Sequence, residues 1–237
     1  MAVDRKPAPR IGTLSDRVYS TMLQEILSGR WPANQPAPSE RDLSATLQVT
    51  RHVVREALKR LQQAGLVRIS QGGSTLVQDW RTHAGLELGF ALIEAGVAPF
   101  ADIFRDTAVL RRTVGVDAAR MCAVNATDEQ LAAISHAAAV YPETGTLQDF
   151  AEAELVLWTA IVIGSGNIAY QLALNTLMRS IEEAGADMVR GLNAEVLADR
   201  GPQVELAAAI AARDADAAAK LAYIQLSQLV NPFGEDG

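Results

Sequence analysis

Four side chains just after Thr50 have the types and spacing to read a DNA groove: Arg51, His52, Arg55 and Lys59. On a helix turning by about 100° per residue, His52, Arg55 and Lys59 fall on one side and Val54, Leu58 and Leu61 on the other. Arg51 sits in the first turn, where a side chain reaches beyond the helix end. Arginine bonds guanine O6 and N7 in bidentate fashion, and a helix N-terminus draws phosphate. Helical charge is more often a solvated face, so this reading needs a second element. Arg41, on a short helix just upstream, supplies one: it suits a phosphate contact, or else an ion pair with Glu40 or Asp42. Gly72 and Gly73 permit a sharp turn and a close backbone approach to a minor groove, or simply an ordinary hairpin. Other chemistry is sparse. The three histidines are His52, His83 and His136, and Cys122 is alone. Ser165 lies in Gly164-Ser165-Gly166, but no strand precedes it and no histidine is placed to activate it. An enzyme is not expected.

Apolar residues Leu14, Val18, Met22, Leu23, Ile26 and Leu27 recur at three-to-four spacing and predict a helix that Gly29 ends. Trp31 to Pro38 holds three prolines and reads as loop. Ser39 with Asp42 resembles a capping box and starts a short helix through Leu47. After the tight connection Gln48-Val49, Thr50 caps a third helix that runs to about Ala64, with Gly65 as its C-cap. Then the period changes to two: Leu66–Ser70 and Thr75–Gln78 predict a hairpin around residues 71–74. From about His83 onward the pattern is helical, over 84–95, 100–124, 128–139, 147–163, 168–183, 193–212 and 214–230. The expected class is therefore mainly α: an N-terminal winged helix-turn-helix of three helices and a hairpin wing, then an all-α antiparallel bundle. The expected divisions are an arm at 1–12, a DNA-binding domain at 13–79, a helical domain at 80–231 and a tail at 232–237.

The net charge of −7 conceals a division. Residues 1–80 hold 11 Lys+Arg against 7 Asp+Glu, whereas residues 81–237 hold 10 against 21. A basic end and an acidic end suit a protein that approaches a polyanion with one part only. Alanine dominates the C-terminal half and aromatics make up 5%, which favours close helix packing. Cys122 sits in an apolar stretch and reads as a buried thiol. The polar first ten residues do not resemble a signal peptide, and no apolar run reaches the ~18 residues that span a bilayer. A cytoplasmic protein with no membrane contact is expected.

The strings Pro38-Ser39-Glu40-Arg41-Asp42-Leu43-Ser44, Val49-Thr50-Arg51, Val54-Arg55-Glu56-Ala57-Leu58, Gly65-Leu66-Val67 and Gln71-Gly72-Gly73 occur in an order that resembles the DNA-binding domain of GntR-type regulators. The resemblance implies that Arg41, Thr50, Arg51, His52, Val53, Arg55 and Gly72 contact DNA. It also implies a homodimer on a palindromic operator, probing it with two reading helices.

Residues 83 to about 230 resemble the helical FCD-type domain of the FadR branch, through Val109-Leu110-Arg111-Arg112, Ala118-Ala119-Arg120, Ser165-Gly166-Asn167 and Arg213-Asp214-Ala215-Asp216. Many members bind a divalent metal there through an aspartate and three histidines. The matching positions here are Glu154, Trp158, Gln203 and Gln225, and a carboxylate with two amides and an indole makes a poor transition-metal site. No metal and no cofactor are expected. The resemblance implies a small-molecule effector, either a carboxylate or, from the linker Asp79-Trp80 and His83-Ala84-Gly85-Leu86, a fatty acyl-CoA. Ile224 and Leu226 are bulkier than in acyl-CoA-responsive relatives, and a cavity without ligand is the third alternative. Arg111 is the candidate anchor for an anion or else a bundle-surface arginine. Asn167, Asn175, Tyr170, Gln203, Tyr223 and Gln225 are weaker lining candidates, and Trp158 either stacks on a ligand or fills the metal's space. The expected function is a ligand-responsive repressor; a helical protein-interaction module is the alternative from another class.

Overall fold

The computed structural model describes residues 13–70, 74–184 and 194–228. The expected arm, the wing tip with Gly72 and the tail at 232–237 lie outside these residues. The chain divides into two compact units, residues 1–98 and 99–237.

In the first unit, α1 (Leu14–Leu27), α2 (Glu40–Thr46) and α3 (Arg51–Gln63) precede β1 (Val67–Ile69) and β2 (Thr75–Val77). Thr13 and Asp16 form a reciprocal capping box at the start of α1, which satisfies donors that a helix end leaves orphaned. Ser39 caps α2 and Thr50 caps α3. Gln48, between them, adopts φ 53°, the left-handed turn that separates the two helices. Val18, Met22 and Ile26 of α1 and Val54, Ala57, Leu58 and Leu61 of α3 are buried and form this unit's core. The strands pair antiparallel with Val67 opposite Val77. The proline-rich stretch is more ordered than a plain loop: Asn34 N–H donates to Val77 O, Val77 N–H to Gln35 O and Ala37 N–H to Thr75 O. Pro32, Pro36 and Pro38 interrupt the run, yet the Asn34 and Ala37 amides still pair with β2 while Gln35 N–H closes a local turn onto Pro32 O.

The short helices α4 (Trp80–His83) and α5 (Gly89–Glu94), with a 3₁₀ turn at Leu86–Leu88 between them, belong to this first unit. The division at residue 98 thus falls beyond the expected boundary at 79/80. Two contacts explain it. Gln24 Nε2 donates to Glu94 O at 3.4 Å. The His83 carbonyl also rests where a Cβ of Gly65 would be, and Gly65 holds φ +72°, so only glycine fits there.

The second unit is helical throughout its described residues: α6 (Phe100–Asn125), α7 (Asp128–Ala139), α8 (Leu147–Gly164), α9 (Ile168–Ala184), α10 (Ala194–Ala198), α11 (Gly201–Ala211) and α12 (Ala215–Ser227). Threonine caps with reciprocal partners start α7 and α8. The core is built on small residues. Ala119, Cys122 and Ala123 of α6 meet Ala218, Ala222 and Leu226 of α12, with Leu157 and Ile161 of α8 and Leu206 and Ile210 of α11. Such residues let helix axes approach closely. α9 is held by a separate small cluster in which Leu174 meets Ala118 and Val162.

Candidate nucleic-acid interface and the polar cluster of the helical unit

The Thr50 hydroxyl accepts from Val53 N–H and fixes the start of α3. With Val54, Leu58 and Leu61 turned into the core, Arg51, His52, Arg55 and Lys59 are exposed on the other side. Val53 is half-buried, and Arg41 is exposed in the first turn of α2. These cations differ in what they already hold. Arg55 forms a bidentate pair with Glu40, at 3.1 Å from Nε and 2.7 Å from Nη2. Lys59 Nζ lies 3.1 Å from Glu56. The Arg55 hydrogen bonds and charge, and then the charge of Arg51, hold the Glu40 carboxyl below its ordinary value. Arg41, Arg51 and His52 have no ion pair or hydrogen bond with any described residue. The two helices thus present two unpaired arginines and an exposed imidazole beside an arginine oriented by a carboxylate. Arg68 on β1 is also exposed and unpaired among the described residues. The sequence reading passed over it, although the alternation Val67-Arg68-Ile69 was a usable signal.

In the helical unit, Glu154, Trp158, Gln203 and Gln225 come together and are buried, with at most 5% exposed. Arg111 Nη2 donates to Glu154 Oε1 at 3.2 Å, and Trp158 Nε1 donates to the same oxygen at 2.9 Å. The neighbours of the Gln203 amide fix its orientation. Its nitrogen donates to Asp199 O at 2.6 Å and Arg200 O at 3.3 Å, and its oxygen accepts from Gln225 Nε2 at 3.1 Å. The reverse orientation offers only a 3.4 Å contact with Glu154 Oε2, and it would set like dipoles together at 2.6 Å. Gln225 Oε1 is left without a partner. Nearby, the Tyr141 hydroxyl donates to Leu197 O at 3.0 Å, and burial followed by the Glu154 charge pushes its pKa upward.

This donor set does not fit a divalent ion. The indole N–H can only donate, and it already points at the carboxylate. The Gln203 oxygen faces an amide donor, and a guanidinium already faces Glu154. The room is filled as well. A Cβ on Gly115 would meet Trp158 Cζ3 at 3.2 Å and Leu226 Cδ1 at 2.5 Å. Beside the indole lies a cavity of about 30 Å³ lined by Leu110, Arg111, Val114, Val162 and Leu174, which is space for about one water.

Other candidates lie apart from this cluster. Asn167 caps α9, its Oδ1 accepting from Ala169 and Tyr170 N–H. Tyr170 bonds Asp117 Oδ2 at 2.8 Å. Tyr223 is half exposed, with the Arg112 guanidinium 5.3 Å from its ring centre. Asn175 is exposed on α9. Ser165, fully buried, donates from Oγ to Val162 O at 2.6 Å and accepts from Asn167 N–H; its hydroxyl closes a turn. Among the described residues no helix is long and apolar enough to cross a membrane.

The family profile described as bacterial regulatory proteins, gntR family, matches residues 14–77, and the FCD domain profile matches residues 106–226. HTH-type transcriptional regulator Mce2R of Mycobacterium tuberculosis (strain CDC 1551 / Oshkosh) is 46% identical over 76 residues, 32% of this chain and 32% of that protein. The match thus spans about a third of that relative's length. The fatty acid metabolism regulator protein of Shewanella pealeana is 29% identical over 154 residues, 65% of this chain and 63% of its own. Among solved structures, one of Listeria monocytogenes Lar superposes with a TM-score of 0.58 at 16% identity, covering 94% of this chain and 97% of that one. At that identity the likeness concerns the fold.

Proposed function

The chain belongs to the GntR family of bacterial regulatory proteins, in its FadR-like, FCD-containing branch, and from that premise we propose that it is a DNA-binding transcription repressor whose affinity for its operator is set by a metabolite. The observation that carries the reading is the set Arg41, Arg51 and His52, exposed at the N-terminal ends of α2 and α3 with no ion pair or hydrogen bond to any described residue. Arg51 and His52 read base edges, with Val53 against a thymine methyl. Arg41 and the Thr50 region hold phosphates. Arg55 enters the groove with Glu40 as its orienting partner, and the Gly72 wing lies against the neighbouring minor groove. A homodimer presents two such helices to a palindrome, and the protein acts on chromosomal DNA in the cytoplasm.

For the effector, a larger and partly apolar ligand such as a fatty acyl-CoA is favoured over a small carboxylate. Arg111 already bonds Glu154, and the wall beside Trp158 is apolar. The cavity's size means that α9 must shift to admit a chain. Gel-shift titration against DNA upstream of the protein's own gene tests the regulator. A retarded species at low salt that long-chain acyl-CoA disperses is the expected result, and absence of any retarded species at low salt overturns it. Dispersal by a small carboxylate instead reverses the effector assignment alone.

A further inference from the structure

We infer that Arg111 is a built-in cation that does, in this FCD domain, the structural work of the divalent ion that the family's metal-binding members hold at this place. Glu154 is the one buried acidic side chain among the described residues. An uncompensated carboxylate in that position is strongly unfavourable. Its compensation comes from α6: the Arg111 guanidinium reaches Glu154 of α8 at 3.2 Å while remaining about a quarter exposed at its outer side. Trp158, one turn along α8, adds an N–H to the same oxygen and lays its ring over Gly115, closing the space an ion and its waters need. The two amides bond to each other and to the carbonyls of Asp199 and Arg200. The Gln203 oxygen is therefore already engaged by an amide donor. Arg111 and Trp158 both donate to Glu154 Oε1, so the chain itself supplies the countercharge and fills the volume beside that oxygen.

Two properties follow. The helical unit holds together without metal, and the charge of Arg111 is already engaged by Glu154. A carboxylate drawn to the remaining N–H groups of Arg111 would compete with Glu154 for the same charge. Effector binding in the cavity beside Trp158 therefore rests on apolar contacts more than on anion capture at Arg111. This rests on the FCD assignment and is independent of operator binding.

Thermal unfolding of the full chain tests it without DNA. In the wild type, EDTA or an excess of Zn²⁺, Ni²⁺ or Mn²⁺ shifts Tm by less than about 1 °C, since an ion that bound the native state would raise it. Arg111→Met lowers Tm by about 5–10 °C, in line with a buried charge left alone. Arg111→Met/Glu154→Gln recovers more than half of that loss, because neutralising Glu154 removes the need for a cation. Stabilisation of the wild type by several degrees with any of these metals, or a double variant that recovers less than half, overturns the proposal. If Arg111→Met does not fold, the double variant decides alone: folded supports the built-in cation, and unfolded refutes it.

Discussion

Arg51 and Arg55 lie one turn apart on an exposed helix face, yet they are in different electrostatic states. Arg51 has no described partner, so its whole donor set is available to a base or a phosphate; Arg41 is in the same condition on α2. Arg51→Ala is expected to weaken operator binding about 10- to 100-fold and to relax discrimination at one base position, as loss of a bidentate contact does. Arg41→Ala should weaken all sequences equally. Fluorescence anisotropy against the operator and single-base variants separates the two. Arg55 instead restrains Glu40, whose carboxyl it keeps ionised below the usual range. Arg55→Ala therefore does double harm, removing a cation and leaving a carboxylate facing DNA. Glu40→Gln should restore a measurable part of the affinity lost in Arg55→Ala. If it restores none, the pair has no part in the interface. Cys122 makes a different point. Burial pushes its thiol up to about 11, and its Sγ occupies the place where Gly164 lacks a Cβ. A disulfide-exchange dye at pH 8 should leave it unmodified for hours in the native protein and titrate one thiol in denaturant; labelling within minutes would show that the α6–α8 contact opens readily.

At the scale of elements, helix starts were legible because they are local chemistry. Ser39 and Thr50 read as caps from the sequence, and Thr13, Thr127 and Thr146, which do not, use the same chemistry: each of the five accepts from a backbone amide within the next three residues. What escaped the sequence was set by distant partners. The stretch 31–38 reads as loop because proline argues against strands, and β2, far along the chain, supplies the bonds to the Asn34 and Ala37 amides. The Arg55–Glu40 pair joins separate helices, so spacing could not reveal it. The grouping of Trp158, Gln203 and Gln225 around Glu154 was anticipated through family resemblance, but the orientation of the amides was not. Nothing in the sequence showed that Arg111 faces Glu154.

α9 is the element most open to test. Beyond its small apolar cluster it is tied to α6 by Tyr170, whose hydroxyl donates to Asp117. Arg120 bonds the same carboxylate at 2.6 Å. Hydrogen bonds from Arg120 and then Tyr170 hold the Asp117 carboxyl below the ordinary aspartate value of 3.8. A depressed pKa stabilises the folded state above the ordinary value, and this contribution disappears as pH falls through the lower folded one. Asp117→Asn should therefore lower Tm at pH 6 and lie closer to the wild type at pH 3. Tyr170→Phe should cost about 0.5–1.5 kcal/mol at neutral pH, as one lost hydrogen bond does. An equal Tm offset for Asp117→Asn at both pH values would show that the carboxylate's charge plays no part in holding α9.

Across the whole molecule, a chain of net charge −7 must bind a polyanion with its basic minority. If Arg41, Arg51 and their neighbours contact phosphates as proposed, they release counterions and affinity falls steeply with salt, with a log–log slope of about −0.9 per phosphate neutralised. The surplus acid of residues 81–237 acts differently. It exerts a general repulsion that spreads over roughly 30 Å at 0.01 M salt and shrinks to about 8 Å at 0.15 M. Glu129, Glu152 and Asp216 are exposed members of that surplus. Replacing them with Gln, Gln and Asn should raise operator affinity several-fold at 0.01 M salt and leave it nearly unchanged at 0.15 M, whereas the Arg41→Ala deficit should reduce the salt slope itself by about one per protomer. Equal gains at both salt concentrations would mean that these acids lie within contact range of the DNA, and the division of labour between a basic and an acidic unit would have to be abandoned.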